Sequence, residues 1–273
     1  DVESDALDDN YTPYQIEFPL DAGCRKKISI VCTIEDAYEK DAFATAAAEM
    51  ARFDALEKKA GYHDELAETL TIAADHFLAY RQSTGLMTVL AGLPWFTDWG
   101  RDTMIALTGL TLATGRYQDA RDILTTFARY VHHGMVPNMF PDEGTAPLYN
   151  TADASMWYFY AVGKYLDYTG TPEDYAFVQE TIYPKLKEII AAYEHGTDFS
   201  IYMEEDGLIH AGSGLDQVTW MDVRVGDWVA TPRHGKPVEI NALWYHALCL
   251  MEEWATRFGE DGSHYAALAA HAK

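Results

Sequence analysis

A glycine ends most of the helix-like segments of this chain. The helix boundaries that these glycines mark constrain the fold more than any other feature of the sequence. From about Asp36 onward, apolar residues recur at three- and four-residue spacing, for example at Leu66, Leu70, Ala73 and Phe77. This spacing places the apolar side chains on one face of an α-helix, and a glycine after the last periodic residue is a typical helix end. The sequence therefore predicts a mainly α-helical domain.

Local signals set the boundaries of these helices. One helix opens with TPED, in which Thr171 is the predicted N-cap, Pro172 is the first helical residue and two acids fall in the first turn. The predicted helices cover eight segments, which are residues 41–60, the segment from Leu66 to Phe77, Asp102 to Gly115, the segment of Ala120 to Val131 that ends at Gly134, the segment after YNTAD that ends at Gly170, Thr171 to Gly196, Pro237 to Phe258, and Ser263 onward.

The links between these helices alternate between short and long. Short links join antiparallel helical hairpins. The longer links hold the unusual residues, in the segments GLPWFTDWGRD, VPNMFPDEGTAPLYNTAD and IHAGSGLDQVTWMDVRVGDWVATPRHGKPVE. Because loops carry function when a rigid scaffold positions them, we expect a toroid of helical hairpins with a cleft at one end.

The first 35 residues differ in composition from the rest. The stretches YQIEFPLD and CRKKISIVCTI are rich in Ile, Val and Phe, are separated by a turn that contains Gly23, and are typical of strands. Two strands cannot bury a sheet face by themselves. We therefore expect residues 1–35 to be the end of an upstream β domain or a linker, and residues 36–273 to be the helical domain.

The charge balance restricts the partners of the chain. It carries 43 acidic and 20 basic residues, a net charge of -23, which repels nucleic acid and anionic lipid. We expect neither partner, whereas a neutral substrate meets no such repulsion. Three widely spaced cysteines, Cys24, Cys32 and Cys249, form neither a disulfide framework nor a zinc pattern, which favours a reducing, cytoplasmic location.

The segment LPWFTDWGRDT, residues 93–103, has the composition of a sugar-binding loop. A sugar ring has apolar faces, on which indole rings such as that of Trp99 stack, and a rim of hydroxyl groups. Arginine offers only donors and an ionised aspartate only acceptors, so Arg101 and Asp102 together can satisfy neighbouring hydroxyls. Gly100 would let the backbone approach a ligand closely.

A structural interpretation of the same segment competes with this one. Trp95 and Phe96 are then core residues, Asp102 is a helix N-cap, and Arg101 pairs with it at the surface. We favour the core interpretation for Trp95 and Phe96, and the functional one for Trp99 to Asp102.

The loop from Gly212 to Asn241 combines carboxylates with indoles. It holds Asp216, Asp222, Asp227, Glu239, Trp220 and Trp228. Hydrolysis of a glycosidic bond needs a protonated carboxyl at the leaving oxygen and a second carboxylate. Aromatic neighbours keep a carboxyl protonated by desolvation, and Asp222, two residues from Trp220, fits that role. For any single acid, a solvated loop residue is the competing interpretation.

The third candidate is YNTADASMWY, residues 149–158. Here Thr151 or Asp153 can cap the helix that follows, with Trp157 in the core, or these residues can line the substrate site; the two interpretations are about equal. The sequence has no phosphate-binding glycine loop, HExxH, CxxC or GxSxG. His132 and His133 fit a helix C-terminus, and His210 and His234 are candidates to line the cleft.

The segments GLPWFTDWGRDTMIALTGL, NTADASMWY and TWMDVRVGDWVATPRHGKPVEINALWY closely resemble the bacterial and archaeal glycogen debranching enzymes of the amylo-α-1,6-glucosidase family. The resemblance covers nearly the whole chain from about residue 36. It implies an (α/α)6 toroid related to glucoamylase, hydrolysis of α-glucan branch points with inversion, and no cofactor, because the chemistry is proton transfer and water attack.

The resemblance also assigns roles to residues. Asp222 would be the general acid. Trp99, Arg101 and Asp102 would hold the terminal glucose, and the remaining pocket residues would be Asp153, Trp220, Trp228 and Glu239.

The chain departs from the family pattern in one respect. The family toroid has six hairpins and a general base, a Glu, in its C-terminal part, whereas we count about four hairpins and align no residue with that base. We therefore expect a partial (α/α)6 domain, a fragment without useful hydrolase activity alone. The alternatives are a non-catalytic α-glucan-binding module and a structural helical repeat; the unequal links argue against the repeat.

Overall fold

The computed structural model describes residues 12, 14–34, 36–93, 95–141 and 146–273. The chain divides into two compact units, one up to Arg52 and the other from Phe53 to Lys273. The second unit contains the predicted loops and is mainly α-helical, as expected.

The first unit does not contain the predicted strands. Residues 14–34 form neither a helix nor a paired strand, and their one regular feature is a turn in which the Cys24 N–H donates to the Asp21 carbonyl oxygen at 3.1 Å. A strand is stabilised by a backbone partner, and no described segment pairs with either stretch. The prediction of two strands is therefore wrong for these residues.

The helices agree with the predicted segments to within a few residues at most ends, because capping residues and glycines act locally. Thr171 and Asp174 form the capping box of the helix that begins at Pro172, and Gly170 ends the preceding helix in the left-handed conformation. The helices are α1 (Ala42–Ala60), α2 (Glu65–Asp75), α3 (Gly100–Leu107), α4 (Tyr117–Arg129), α5 (Asp153–Thr169), α6 (Pro172–Phe177), α7 (Tyr183–His195), α8 (Val238–Arg257) and α9 (Ser263–Ala272), and the π-helical segments Thr108–Leu112 and Val178–Ile182 follow α3 and α6.

Short antiparallel strand pairs lie within or between the links that connect the helices. Apart from the four-residue pair after α2, each strand has two residues, so the pairs shape loops and do not form a sheet layer. The pairs are β1 (Leu78–Arg81) with β2 (Leu86–Val89), β3 (Asp98–Trp99) with β4 (Met139–Phe140), β5 (Tyr202–Met203) with β6 (Ile209–His210), and β7 (Arg224–Val225) with β8 (Trp228–Val229).

Helix α5 is the centre of the core and packs against α3, α4 and α8. Large aromatic side chains fill the space between these helices, and their polar atoms are bonded: the Tyr158 hydroxyl donates to the Leu124 carbonyl at 2.7 Å, and the Tyr193 hydroxyl donates to the Ala152 carbonyl at 2.7 Å. Full burial of one such side chain contributes about 1.5–3 kcal/mol.

The apolar face that the sequence predicts for α2 is exposed in the structure. Leu66 and Leu70 of α2 are exposed, whereas Thr71 and Asp75 are buried. The reason is an ion pair, because the Asp75 carboxylate accepts a hydrogen bond from Arg116 at 2.5 Å and so directs this face inward. An apolar repeat alone does not reveal such a pair.

The long link from Gly196 to Pro237 folds back onto the helix ends. Its Val218 carbonyl accepts from the Ala152 N–H at 2.8 Å, just before α5, and its Ile209 N–H donates to Asn241 in the first turns of α8 at 2.6 Å. The starts of α5 and α8 therefore meet the same link. A closed ring of six hairpins stays a prediction. None of the described helices is long and apolar enough to cross a bilayer.

Candidate functional site

Helix α3 begins at Gly100, and this glycine is required by the backbone that crosses it. A Cβ atom at this position would lie 2.0 Å from the Pro137 carbonyl oxygen, and the Gly100 N–H donates to the Asn138 carbonyl at 2.8 Å. The close approach that we expected for a ligand is thus made by the chain segment before β4. Gly100 therefore lets the first turn of α3, which carries Arg101 and Asp102, pack directly against this segment.

We expect Gly100→Ala to lower the free energy of unfolding by about 2–3 kcal/mol, because neither backbone can move away without breaking a hydrogen bond. Urea denaturation measures this change. The matched control is Gly109→Ala, in the π-helical segment that follows α3. Nothing lies within 4 Å of its Cβ position, and alanine is a better helix former than glycine. Equal effects of the two substitutions would contradict this account of Gly100.

Arg101 is the centre of a charge network that joins three elements. Its Nε donates to Asp153 Oδ2 at 2.7 Å, its Nη1 donates to Asp222 Oδ2 at 3.3 Å, and its Nη2 donates to Thr151 Oγ1 at 3.3 Å. Asp153 is the first residue of α5, and Asp222 lies in the long link. The structure thus brings three of the predicted residues, Arg101, Asp153 and Asp222, into direct contact.

The structure differs from the helix-cap and surface-pair interpretation of these residues. Arg101 is not a surface partner of Asp102: its side chain is 11% exposed, and the N-cap of α3 is Trp99, without a side-chain bond. Asp153 does not cap α5 either, since Ala152 is the N-cap and the Asp153 carboxylate is bonded to Arg101. Thr151 Oγ1 donates to Asp153 Oδ1 at 2.5 Å.

Burial and charge act in opposite directions on Arg101. Burial lowers its pKa, but the charges of Asp153 and Asp222 and the hydrogen bonds to them outweigh burial, and the pKa is raised. Arg101 is therefore a permanent cation in this site.

Asp102 lies beside this network, not inside it. Consecutive residues of a helix point about 100° apart, so Asp102 does not share the hydrogen-bond partners of Arg101. Their joint role in holding sugar hydroxyls stays a prediction. Asp102 lines a cavity of about 340 Å³ together with apolar residues such as Phe77 and Ile105. Desolvation raises the pKa of Asp102, and the charges of Asp153 and Asp222 add to the rise.

A second ion pair lies near the first. Arg233 of the long link donates to both carboxylate oxygens of Glu239, in the first turn of α8, at 2.7 Å for Nη2 and Oε2. These hydrogen bonds lower the pKa of Glu239, and the hydrogen bond to Glu239 raises the pKa of Arg233, with a further contribution from the charge of Asp153. The sequence analysis missed Arg233 as the partner of Glu239. The sequence did contain a signal for this pair: an arginine in the loop just before a helix that has an acidic residue in its first turn.

The tryptophans occupy different environments. Trp99 pairs with Met139 where β3 and β4 are hydrogen-bonded, and its buried indole N–H has no acceptor among the described residues. Such a donor can bond to water or to a ligand oxygen. Trp220 and Trp228 are largely exposed, Trp228 on β8. Their predicted role as walls of a glucose pocket stays a prediction.

Two interpretations of aromatic residues and histidines are wrong. Trp95 and Phe96 are exposed, not in the core, and Phe96 meets Trp99 edge to face. His132 and His133 lie beyond the end of α4 at Arg129, in a turn.

The two remaining histidines of interest have local partners. His210 is bonded to Glu204 at 3.0 Å, and His234 to the Asp216 carbonyl at 3.1 Å. In the part of the chain that the structure describes, no three or more His, Cys, Asp or Glu side chains are grouped to hold a metal ion.

The expected desolvation of Asp222 by Trp220 is not observed. The Asp222 side chain is 33% exposed and faces the guanidinium of Arg101, while Trp220 is open to solvent. A cavity of about 630 Å³ lies elsewhere, beside Tyr80 and Gln82 of the β1–β2 hairpin. The candidate site is an open rim where the starts of α3 and α5 meet the long link.

Comparison with known proteins identifies the family. Residues 72–273, which include every residue of this rim, match the model of the amylo-alpha-1,6-glucosidase family. The chain belongs to this family. It is also similar to the glycogen debranching enzyme of Saccharomyces cerevisiae, with 30% identity over 244 residues. That match covers 66% of this chain and 16% of the yeast protein, so the chain spans about a sixth of its relative.

Proposed function

We propose that this chain forms the part of an amylo-α-1,6-glucosidase that binds the terminal glucose of an α-glucan branch and supplies its acid catalyst, Asp222. The observation that carries the proposal is the contact of Arg101 with both Asp153 and Asp222, where the starts of α3 and α5 meet the long link. The substrate class follows from the family and from the name of the yeast relative, glycogen debranching enzyme.

The proposed reaction is a hydrolysis with inversion. The carboxyl of Asp222 gives its proton to the glycosidic oxygen as the bond from that oxygen to the anomeric carbon breaks. A water molecule attacks the anomeric carbon from the opposite face and gives its proton to a second carboxylate, roughly 6.5–9.5 Å from the acid in inverting enzymes. From the resemblance we expect that base beyond Lys273, and we propose the activity for the whole encoded protein.

The contact of Arg101 with Asp222 implies a step that precedes proton transfer in this reaction. A guanidinium attracts a carboxylate, whereas an acid catalyst has to carry its proton when the bond breaks. The Arg101–Asp222 contact therefore opens before Asp222 acts. A glucose hydroxyl is a suitable replacement partner for Nη1 of Arg101, because it accepts a hydrogen bond without carrying a charge.

The test is glucose release from a limit dextrin by the protein as encoded by its full gene, followed by NMR of the first-formed anomer. We expect glucose release and β-glucose as the initial product. α-Glucose first would overturn inversion, and dextrin binding without hydrolysis would favour the non-catalytic binding module. The same assay on residues 1–273 alone tests the expectation that this fragment is inactive.

A further inference from the structure

Three hydrogen bonds connect Arg101, Asp153 and Thr151 into a closed ring. Arg101 Nε donates to one oxygen of Asp153, Thr151 donates to the other, and Arg101 Nη2 donates to Thr151. The guanidinium group is planar, so two fixed points on it fix its orientation. The remaining nitrogen, Nη1, is the one that contacts Asp222.

Burial separates the ring from the rim. The side chain of Asp153 is 2% exposed and Thr151 is buried, whereas Asp222 is 33% exposed. Both oxygens of Asp153 already accept hydrogen bonds from protein donors. A sugar hydroxyl would have to displace one of these bonds and enter a closed space to reach Asp153.

We infer that Asp153 and Thr151 are positioning residues: they hold the guanidinium of Arg101 so that its Nη1 faces the open rim and exchanges Asp222 for a substrate hydroxyl. The inference rests on the proposed function for the identity of the substrate. It replaces the predicted role of Asp153 as a residue that binds sugar directly, and it adds Thr151, whose hydroxyl both accepts from Arg101 and donates to Asp153.

The first experiment measures kinetics on the full gene product. Asp153→Asn removes the charge from the ring, and Thr151→Val removes the hydroxyl at nearly constant volume. We expect kcat/KM to fall by about 100-fold and about 10-fold respectively, the range for residues that orient a functional group. Thr151→Ser, which keeps the hydroxyl, should recover most of the loss seen with valine, and Asp153→Asn should raise KM as well as lower kcat.

The control is another buried carboxylate that binds an arginine. Asp75 is 9% exposed and contacts Arg116, which is 12% exposed. Arg116 follows the C-terminal end of the helical segment Gly100–Leu112, whose thirteen residues span about 20 Å, whereas Arg101 lies in its first turn. Asp75→Asn should lower the melting temperature as Asp153→Asn does, but leave kcat/KM within about twofold.

The second experiment does not depend on activity. In a ¹⁵N spectrum of the protein without substrate, the Arg101 Nε–H, assigned by its loss in Arg101→Lys, should be protected from solvent exchange. Exchange should be at least about tenfold faster in Asp153→Asn and unchanged in Asp75→Asn, since an amide holds the guanidinium less firmly than a carboxylate.

These measurements separate the two proposals. If the wild-type protein releases no glucose but the Nε–H is protected by Asp153, the proposed function fails and the positioning ring stands. If Asp153→Asn loses activity while the Nε–H stays fully protected, Asp153 acts on the sugar directly and the inference is overturned. Unchanged kcat/KM in both Asp153→Asn and Thr151→Val would overturn it as well.

Discussion

Asp222→Asn is expected to lower glucose release from a limit dextrin by about 10³-fold, within the range for loss of a general acid. An amide carries no transferable proton, so the leaving oxygen departs unassisted. The amide oxygen still accepts from Nη1 of Arg101, and so the shape of the rim is kept. Dextrin affinity, measured by calorimetry, should therefore change by no more than a few-fold.

Asp227 provides the matched control for this prediction. It lies in the same loop, in the turn between β7 and β8, and is exposed. Asp227→Asn should leave glucose release within about twofold, because an exposed loop carboxylate far from the leaving oxygen transfers no proton. Full activity in Asp222→Asn, or an equal loss in Asp227→Asn, would show that the acid is another residue.

Loss of stability does not account for the expected effect of Asp222→Asn. The contact between Arg101 and Asp222 is 3.3 Å long, and a third of the Asp222 side chain is exposed. Partly exposed ion pairs contribute about 0–1 kcal/mol. The free energy of unfolding of the variant, measured by chemical denaturation, should therefore match that of the wild type within about 1 kcal/mol. The lost activity would then reflect a slower chemical step.

The helix ends were predictable because their signals are local. Thr171 bonds to a residue three positions away, and Gly170 and Gly196 have positive φ angles that other residues adopt at a cost. The β1–β2 hairpin was missed because Phe77 continues the helical spacing of Leu70, although α2 ends at Asp75. Where that helix stops depends on tertiary contacts that no local pattern contains.

The residues that meet at the site could be singled out from their types, but their pairing could not. The sequence places Arg101 next to Asp102, and the competing structural interpretation paired these two residues. On a helix, adjacent residues diverge, so Arg101 pairs with Asp153, 52 positions away, and with Asp222, 121 positions away. Such partners become visible only when the starts of α3 and α5 and the long link are placed together.

Apolar character also gave the wrong location for Trp95 and Phe96. The prediction assumed that large aromatic side chains are buried, yet the exposed surface of a folded protein contains many apolar groups. Here the Phe96 N–H donates to the Gly92 carbonyl at 2.8 Å, and the side chains of Trp95 and Phe96 are exposed.

Arg101→Met is expected to lower the free energy of unfolding by about 3–5 kcal/mol, because it leaves the buried carboxylate of Asp153 without a counter-charge. The Asp153 side chain is 2% exposed, so water does not replace the lost guanidinium. A second substitution, Asp153→Asn, removes the stranded charge and should restore more than half of the loss. Urea denaturation of the two single variants and the double variant gives the coupling free energy.

Arg233→Met tests whether this loss reflects burial or only a broken ion pair. Arg233 and Glu239 also form a two-bond pair, but their side chains are 20% and 30% exposed, and solvent can hydrate the Glu239 that remains. The expected loss is about 1 kcal/mol or less. If Arg101→Met costs no more than Arg233→Met, Asp153 is hydrated or protonated in the folded protein, and the network does not hold a buried charge at the start of α5.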